Sequence, residues 1–298
     1  MIPPRVILAP VDFSEPSRTS LQFAVALVRH TGAALHVLHA QDPLLAEGAR
    51  HAGFDLSRDT EEELGRFVAN ASPGSGAAPD AHVATGPAVD VIAQTAQHLR
   101  ADLIVVGSHG ISGAERLVFG STTEGLLRRA PTSVLVTPAR SGSAVSIVPD
   151  VSSMGPVIAA LDFSAQAIDA ARAACKLAAV LNTVVEVVHV VPDVPALVRW
   201  RVHSENAVRS RVSAAREQLE TVTRSLGCQG PLQMKLESGD VALHLAEAAT
   251  SSSTRRPILV LGRRRPGETG GAPGSTAYRV LMLAKVPVLM YVAEDHDR

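Results

Sequence analysis

The chain has 298 residues, enough for one large domain or two of about 150 residues each. Its composition, 46% hydrophobic and 19% charged, is that of a globular protein and excludes wholesale disorder. Lysine and arginine number 28 against 29 acidic residues, and a net charge of −1 gives no electrostatic reason to expect a nucleic-acid partner. Aromatic residues are only 3%, so the core has to be built from Ala, Val, Leu and Ile. The two cysteines, Cys175 and Cys228, offer neither a disulfide framework nor the repeated spacing of a zinc site.

Met1 to Arg5 lead straight into an apolar strand pattern, without the basic start and longer apolar stretch of a signal peptide. No stretch approaches the roughly 18 apolar residues of a membrane span, so a soluble, cytoplasmic protein without membrane contact is expected. Strands are predicted at about 5–12, 34–40, 81–86, 102–107 and 133–137. They read as continuously apolar, as strands buried on both faces should. Between the first two, Leu21, Ala24, Val25 and Val28 mark one helical face. Ser14 is a suitable N-cap for that helix, with Glu15 in its first turn. Further helical patterns fit 55–70, 88–100, with Pro87 as a first-turn proline, and 121–130, where Ser121 and Glu124 have capping-box spacing. A long, more polar helical stretch falls near 200–226.

The pattern then repeats. Asp12-Phe13-Ser14 returns as Asp162-Phe163-Ser164, 150 residues later, and Leu35 to His39 return as Val185 to His189 at the same offset. Thr85-Gly86-Pro87 is answered by Ser238-Gly239-Asp240, and Gly120-Ser121-Thr122 by Gly274-Ser275-Thr276. Signposts in a fixed order mark a tandem duplication. The expected boundaries are a first domain at 1–140, a linker at 141–153 where Pro, Ser, Gly and Ala cluster, and a second domain at 154–298. Alternating β and α elements give each half a doubly wound α/β fold around a parallel sheet.

In the first half, the strand ending at Gly107 leads into Ser108-His109-Gly110, nine residues, and then Gly120-Ser121-Thr122-Thr123. Glycines let backbone approach an anion, and a helix N-terminus favours phosphate. Asp12 and Gly107 both lie at carboxyl ends of strands, where open parallel sheets bind ligands. There is no Gly-x4-Gly-Lys-Ser/Thr loop, no Gly-x-Gly-x2-Gly after the first strand, and no visible metal cluster with a water-activating base.

The spacing Gly-x2-Gly-x9-Gly-Ser with an N-terminal Pro-x-Asp-x-Ser resembles the ATP-binding branch of the universal stress proteins, over nearly the whole chain. The resemblance implies two tandem five-stranded α/β domains, of the adenine-nucleotide alpha-hydrolase-like type, joined as an intramolecular pseudo-dimer. Their last strands, Val134 to Val136 and Val288 to Met290, would pair, and a homodimer is a further possibility. It implies an ATP site, with Mg²⁺ or Mn²⁺ on the phosphates, and a stress-response regulator acting on a protein partner of unknown kind. Asp12 would lie near ribose and the metal's water shell, with Pro10 and Val11 beside it in the nucleotide site, and Ala40 would meet adenine. Gly107, Ser108, His109, Gly110, Gly120, Ser121, Thr122 and Thr123 would hold triphosphate and ribose. In the second half Asp162, Gly262, Gly274, Ser275 and Thr276 survive, but Arg265 stands where the second glycine belongs and the spacing is one residue shorter. ATP is therefore expected mainly in the first half. Alternatives are a slow ATPase, AMP or a cyclic nucleotide as ligand, and a nucleotide-independent interaction scaffold.

Other residues read more simply. His39 and His189 are expected to pack at strand ends, and His36 and His39 point to opposite faces and build no metal site. His109 has no carboxylate partner by spacing, which argues against catalysis. His203-x-Glu205 lacks the downstream Cys-x2-Cys of a zinc deaminase. Cys175 shares an apolar helix face with Ile168, Ala171 and Ala178 and is expected as a buried free thiol, and Trp200 is too isolated to interpret.

Overall fold

The computed structural model describes residues 3–71, 79–109, 119–138, 154–193, 201–251, 256–265 and 274–293. These form two compact units. The linker at 141–153, Gly110 and Trp200 lie outside the described residues, as do the side chains of His203 and Glu205.

In the first unit, β1 (Val6–Val11) pairs in parallel with β2 (Ala34–Gln41) on one side and β4 (Leu103–Gly107) on the other. Outside them lie β3 (Asp80–Thr85), paired with β2, and β5 (Ser133–Thr137), paired with β4. The order β3-β2-β1-β4-β5 reverses direction between β1 and β4. Helices α1 (Glu15–Thr31), α2 (Pro43–His51), α3 (Leu56–Ala71), α4 (Ala88–His98) and α5 (Ser121–Arg129) occupy the connections, as parallel strands require. The burial of β4 and β5 along their whole length explains their unbroken apolar runs. The outer strand β3, Asp-Ala-His-Val-Ala-Thr, is exposed at its start, so the expectation of continuously apolar strands fails there.

Helix α1 begins where the sequence places it: the Ser17 amide donates to Ser14 Oγ at 3.3 Å, and Leu21, Ala24 and Val25 are buried. Gly32, with φ of 68°, closes the helix by donating its amide to the Val28 carbonyl. Two expected helix starts differ. Pro87 is the N-cap residue of α4 and stands just outside the helix. At α5 the cap is Gly120, and Glu124 turns instead to Arg128 at 2.7 Å, so the Ser121–Glu124 capping box does not form.

The second unit repeats the order, β8-β7-β6-β9-β10, with β6 (Met154–Ala160), β7 (Val185–Pro192), β8 (Leu232–Gly239), β9 (Arg256–Gly262) and β10 (Val288–Tyr291). Its helices are α6 (Ala165–Val180), α7 (Arg201–Ser225), α8 (Val241–Ser251) and α9 (Ser275–Leu283). Ser164 caps α6 as Ser14 caps α1. Cys175 is buried on α6 as its helix face predicts, but it is not a free thiol. It is bonded to Cys228 in the turn between α7 and β8, with Cα atoms 5.0 Å apart and a sequence separation of 53. Among the described residues, no helix is long and apolar enough to cross a membrane.

Candidate functional site

Strand order fixes where a ligand fits. Because the order reverses between β1 and β4, the loops leaving their carboxyl ends run apart and leave a crevice. A cavity of about 240 Å³ opens there. Pro10, Val11 and Asp12 border it at the end of β1, and Ala40 borders it from β2. Gly107 and His109 follow from β4, and Gly120, Ser121, Thr122 and Thr123 from the start of α5. Of the site residues expected from sequence, Ser108 does not border the cavity. Its side chain is buried, with Oγ 3.0 Å from His109 Nδ1. His109 in turn stacks on Phe119, ring centres 6.4 Å apart.

Five further residues line the cavity: Ser17, Leu38, Ala88, Ile92 and Val106. Leu38, Ala88, Ile92 and Val106 make an apolar wall that suits the flat face of a ring. Ala88 and Ile92 stand four residues apart at the start of α4, a spacing that puts both on one helix face and was legible in the sequence. Ser17 accepts from the Asp12 amide at 3.3 Å and donates to the Ser14 carbonyl at 2.9 Å. Asp12 Oδ1 accepts from the Ser14 amide at 3.1 Å and from the Ser14 hydroxyl. Asp12, the only acid bordering the cavity among the described residues, is therefore held in a defined turn.

The glycines have local reasons. A Cβ on Gly107 would lie 3.0 Å from the Pro16 carbonyl oxygen, so α1 can close on the end of β4 only because no side chain intervenes. Thr123 reaches back from α5 and donates to the Gly107 carbonyl at 2.7 Å, which ties the helix start to the same strand end. The first turn of α5 has no side-chain cap from Gly120, and its residues Ser121 and Thr122 border the cavity.

Phe13 has a φ of 65°, a left-handed conformation seldom adopted by a bulky residue. Its ring lies 4.5 Å from that of His39 and edge-on to Phe67 at 5.6 Å. His39 Nδ1 donates to the Val11 carbonyl at 2.9 Å. The packing expected of His39 at a strand end is thus what forms, with a hydrogen bond that sequence alone does not reveal. His36 faces elsewhere, with Nδ1 3.2 Å from His82 Nε2 and 3.7 Å from Asp80. Burial lowers its pKa, Asp80 opposes that shift, and His82 adds to it.

In the second unit the same turn is present, with Phe163 at φ 65° and the Asp162–Ser164 hydrogen bonds intact. Two polar partners are missing. Ala167 occupies the place of Ser17, and Ala277 that of Thr123. Arg263 stands in the place of Ser108 and donates its amide to the Tyr291 carbonyl at 2.7 Å, as Ser108 does to Thr137 at 2.9 Å. Its side chain is only 3% exposed, and burial pushes its pKa down to about 10. Among the described residues, no group of three or more His, Cys, Asp or Glu side chains is placed to hold a metal ion.

Comparison with known proteins agrees with the duplication. The model of the universal stress protein family matches residues 4–138 and again 154–291. The chain is 27% identical over 135 residues to the universal stress protein MJ0531 of Methanocaldococcus jannaschii, an alignment spanning 44% of this chain and 79% of that protein. It is 31% identical over 122 residues to universal stress protein A homolog 2 of Coxiella burnetii, spanning 40% of this chain and 83% of that one. In fold it is similar to a universal stress protein from Archaeoglobus fulgidus, with a TM-score of 0.70 and 20% identity over 96% of this chain and 98% of that one. A protein of unknown function from Pseudomonas aeruginosa, PA1789, gives a TM-score of 0.61 at 17% identity, covering 97% of this chain and 92% of that chain. With both halves matched by one family model and the α/β architecture repeated, the chain belongs to the universal stress protein family as a tandem, two-domain member.

Proposed function

We propose that the first unit binds an adenine nucleotide, ATP, and that the protein acts as a nucleotide-dependent regulator in stress adaptation rather than as a fast enzyme. The observation that carries this reading is the convergence of Asp12, Ala40, Gly107 and the Gly120–Thr123 turn, from four separate chain segments, onto one cavity. The apolar wall of Leu38, Ala88, Ile92 and Val106 receives the base, and Ala40 offers backbone to its edge. Asp12 accepts from ribose hydroxyls. The uncapped start of α5, with Ser121 and Thr122, supplies donors to phosphate. A magnesium or manganese ion accompanying the nucleotide would neutralise part of the phosphate charge, and Asp12, the one carboxylate bordering the cavity among the described residues, would hold its water shell. Bound nucleotide at a hundredfold excess over its Kd stabilises the binding-competent arrangement by about 2.7 kcal/mol, which is enough to bias a loop or a partner surface.

The second unit is proposed to bind ATP weakly or not at all, because Ala167, Ala277 and Arg265 replace groups on which the first site relies. Calorimetric titration of nucleotide-stripped protein with Mg-ATP tests both statements. About one site per chain, lost in Asp12→Ala and kept in Asp162→Ala, is the expected result. Two sites would overturn the asymmetry, and absence of heat would overturn nucleotide binding.

A further inference from the structure

Asp12 sits between two residues that are both held by one side chain. On one side, the Val11 carbonyl accepts from His39 Nδ1 at 2.9 Å. On the other, the Phe13 ring lies on the His39 ring at 4.5 Å, with Phe67 edge-on behind it at 5.6 Å. Phe13 pays for this contact with a left-handed backbone, a conformation that persists only where neighbours over-determine it. Because the acceptor is a carbonyl oxygen, the His39 ring must carry its proton on Nδ1, which fixes the tautomer as well as the ring plane.

We infer that His39 is a positioning residue for the ligand carboxylate: it clamps Val11 and Phe13 and thereby sets the direction in which Asp12 presents its side chain to the cavity. The inference rests on the nucleotide reading above and adds to it a residue that borders no ligand. His39 is not among the residues lining the cavity, and its contacts with Val11 and Phe13 give it a route to Asp12 through the turn.

The duplication supplies a control within the same chain. In the second unit His189 Nδ1 donates to the Leu161 carbonyl at 2.7 Å, and Phe163, at φ 65°, stacks on it at 4.3 Å. The two clamps are alike in structure, and only the first borders the complete set of nucleotide residues. A merely structural role would make His39 and His189 equivalent. A positioning role separates them.

The experiment compares the full chain with His39→Ala, His39→Asn, His39→Phe and His189→Ala. Mg-ATP affinity is read by calorimetry and thermal unfolding is followed without nucleotide. His39→Ala is expected to weaken ATP by about tenfold or more, the equivalent of one charge-assisted hydrogen bond misplaced. His189→Ala is expected to lower the unfolding temperature by about as much as His39→Ala does and to leave ATP affinity unchanged. Asparagine carries a donor near the position of Nδ1 and keeps the carbonyl bond, so His39→Asn recovers part of the affinity that His39→Phe does not. In nucleotide-free protein, amide resonances of residues 11–14 move in His39→Ala as Phe13 leaves its left-handed conformation. Wild-type affinity in His39→Ala, unmoved turn resonances, or equal loss of affinity in His189→Ala would each overturn the inference. A wild-type protein that gives no heat overturns the nucleotide reading itself, a failure visible in the wild-type trace before any variant is compared.

Discussion

Thr123 donates its hydroxyl to the Gly107 carbonyl across sixteen residues of sequence, at 2.7 Å and out of contact with water. The bond fastens the start of α5 to the end of β4, so the helix amides and the Gly107 backbone keep a constant separation. In the second half the helix starts Ser275-Thr276-Ala277, and the place of Thr123 is taken by a methyl group. Removing the hydroxyl leaves a buried acceptor with one partner fewer. Thr123→Ala is expected to cost about 1–2 kcal/mol in urea unfolding and to weaken ATP binding, whereas Thr123→Ser keeps both within a few tenths of a kcal/mol. Equal stability of the two variants would mean that the bond contributes nothing.

The two strand-end glycines have different tolerances. A Cβ at Gly107 would stand 3.0 Å from the Pro16 oxygen, but at Gly262 it would lie 2.6 Å from both the carbonyl carbon and oxygen of Gln166. Backbone cannot step aside as a flexible side chain can. Gly262→Ala should therefore destabilise the chain by about 1–3 kcal/mol, and Gly107→Ala by less. Denaturant midpoints of the two variants give the order, and a reversed order would contradict the contact geometry.

Cys175 and Cys228 close a loop of 53 residues. Loop-closure entropy then predicts about 4 kcal/mol of stabilisation relative to the reduced chain. Thermal unfolding with and without dithiothreitol, together with Cys228→Ser, measures it. The variant should unfold at the lower temperature and be indifferent to reductant. A wild-type unfolding temperature that reductant leaves unchanged would show that the bond carries no such weight.

Stability is expected to fall as the solution is made acidic through the range in which histidine titrates. Burial holds the pKa of His36 below its ordinary 6.5, with Asp80 acting against this and His82 reinforcing it. Its unfolded form therefore takes up a proton first. The stability linked to neutral His36 is complete above the unfolded value and is lost as pH drops through it toward the folded one. Unfolding free energies between pH 8 and 5 should show this slope, and His36→Gln should flatten it. An unchanged slope in the variant would assign the proton uptake elsewhere.

The repeat, the parallel strands and the glycine-rich turn were all legible in the sequence, because each leaves a local mark: apolar runs, fixed offsets, paired glycines. What escaped has no such mark. Helix α2 buries none of its residues, with Leu44 and Leu45 exposed at 78% and 66%, and its nine residues are too few for an apolar period to repeat. Its only signal was Asp42-Pro43, where Asp42 accepts from the Leu44 amide at 2.7 Å. The Ser121–Glu124 spacing was misleading, since a capping box needs its serine before the helix and Ser121 is already inside it. In sequence Ser17 reads only as a residue of the helix start, since its bond to Asp12 arises only when the turn closes. The left-handed Phe13 is invisible to propensity, which assigns that conformation to glycine or asparagine. The cysteine pair depends on a fold-level approach of α6 to the turn after α7, which spacing alone does not announce.

That pairing also decides what a protease would leave behind. A single cut anywhere between Cys175 and Cys228 yields two fragments that remain one covalent molecule. Under non-reducing electrophoresis the nicked chain migrates near the intact one, and it separates into two bands only after the sulfurs are reduced.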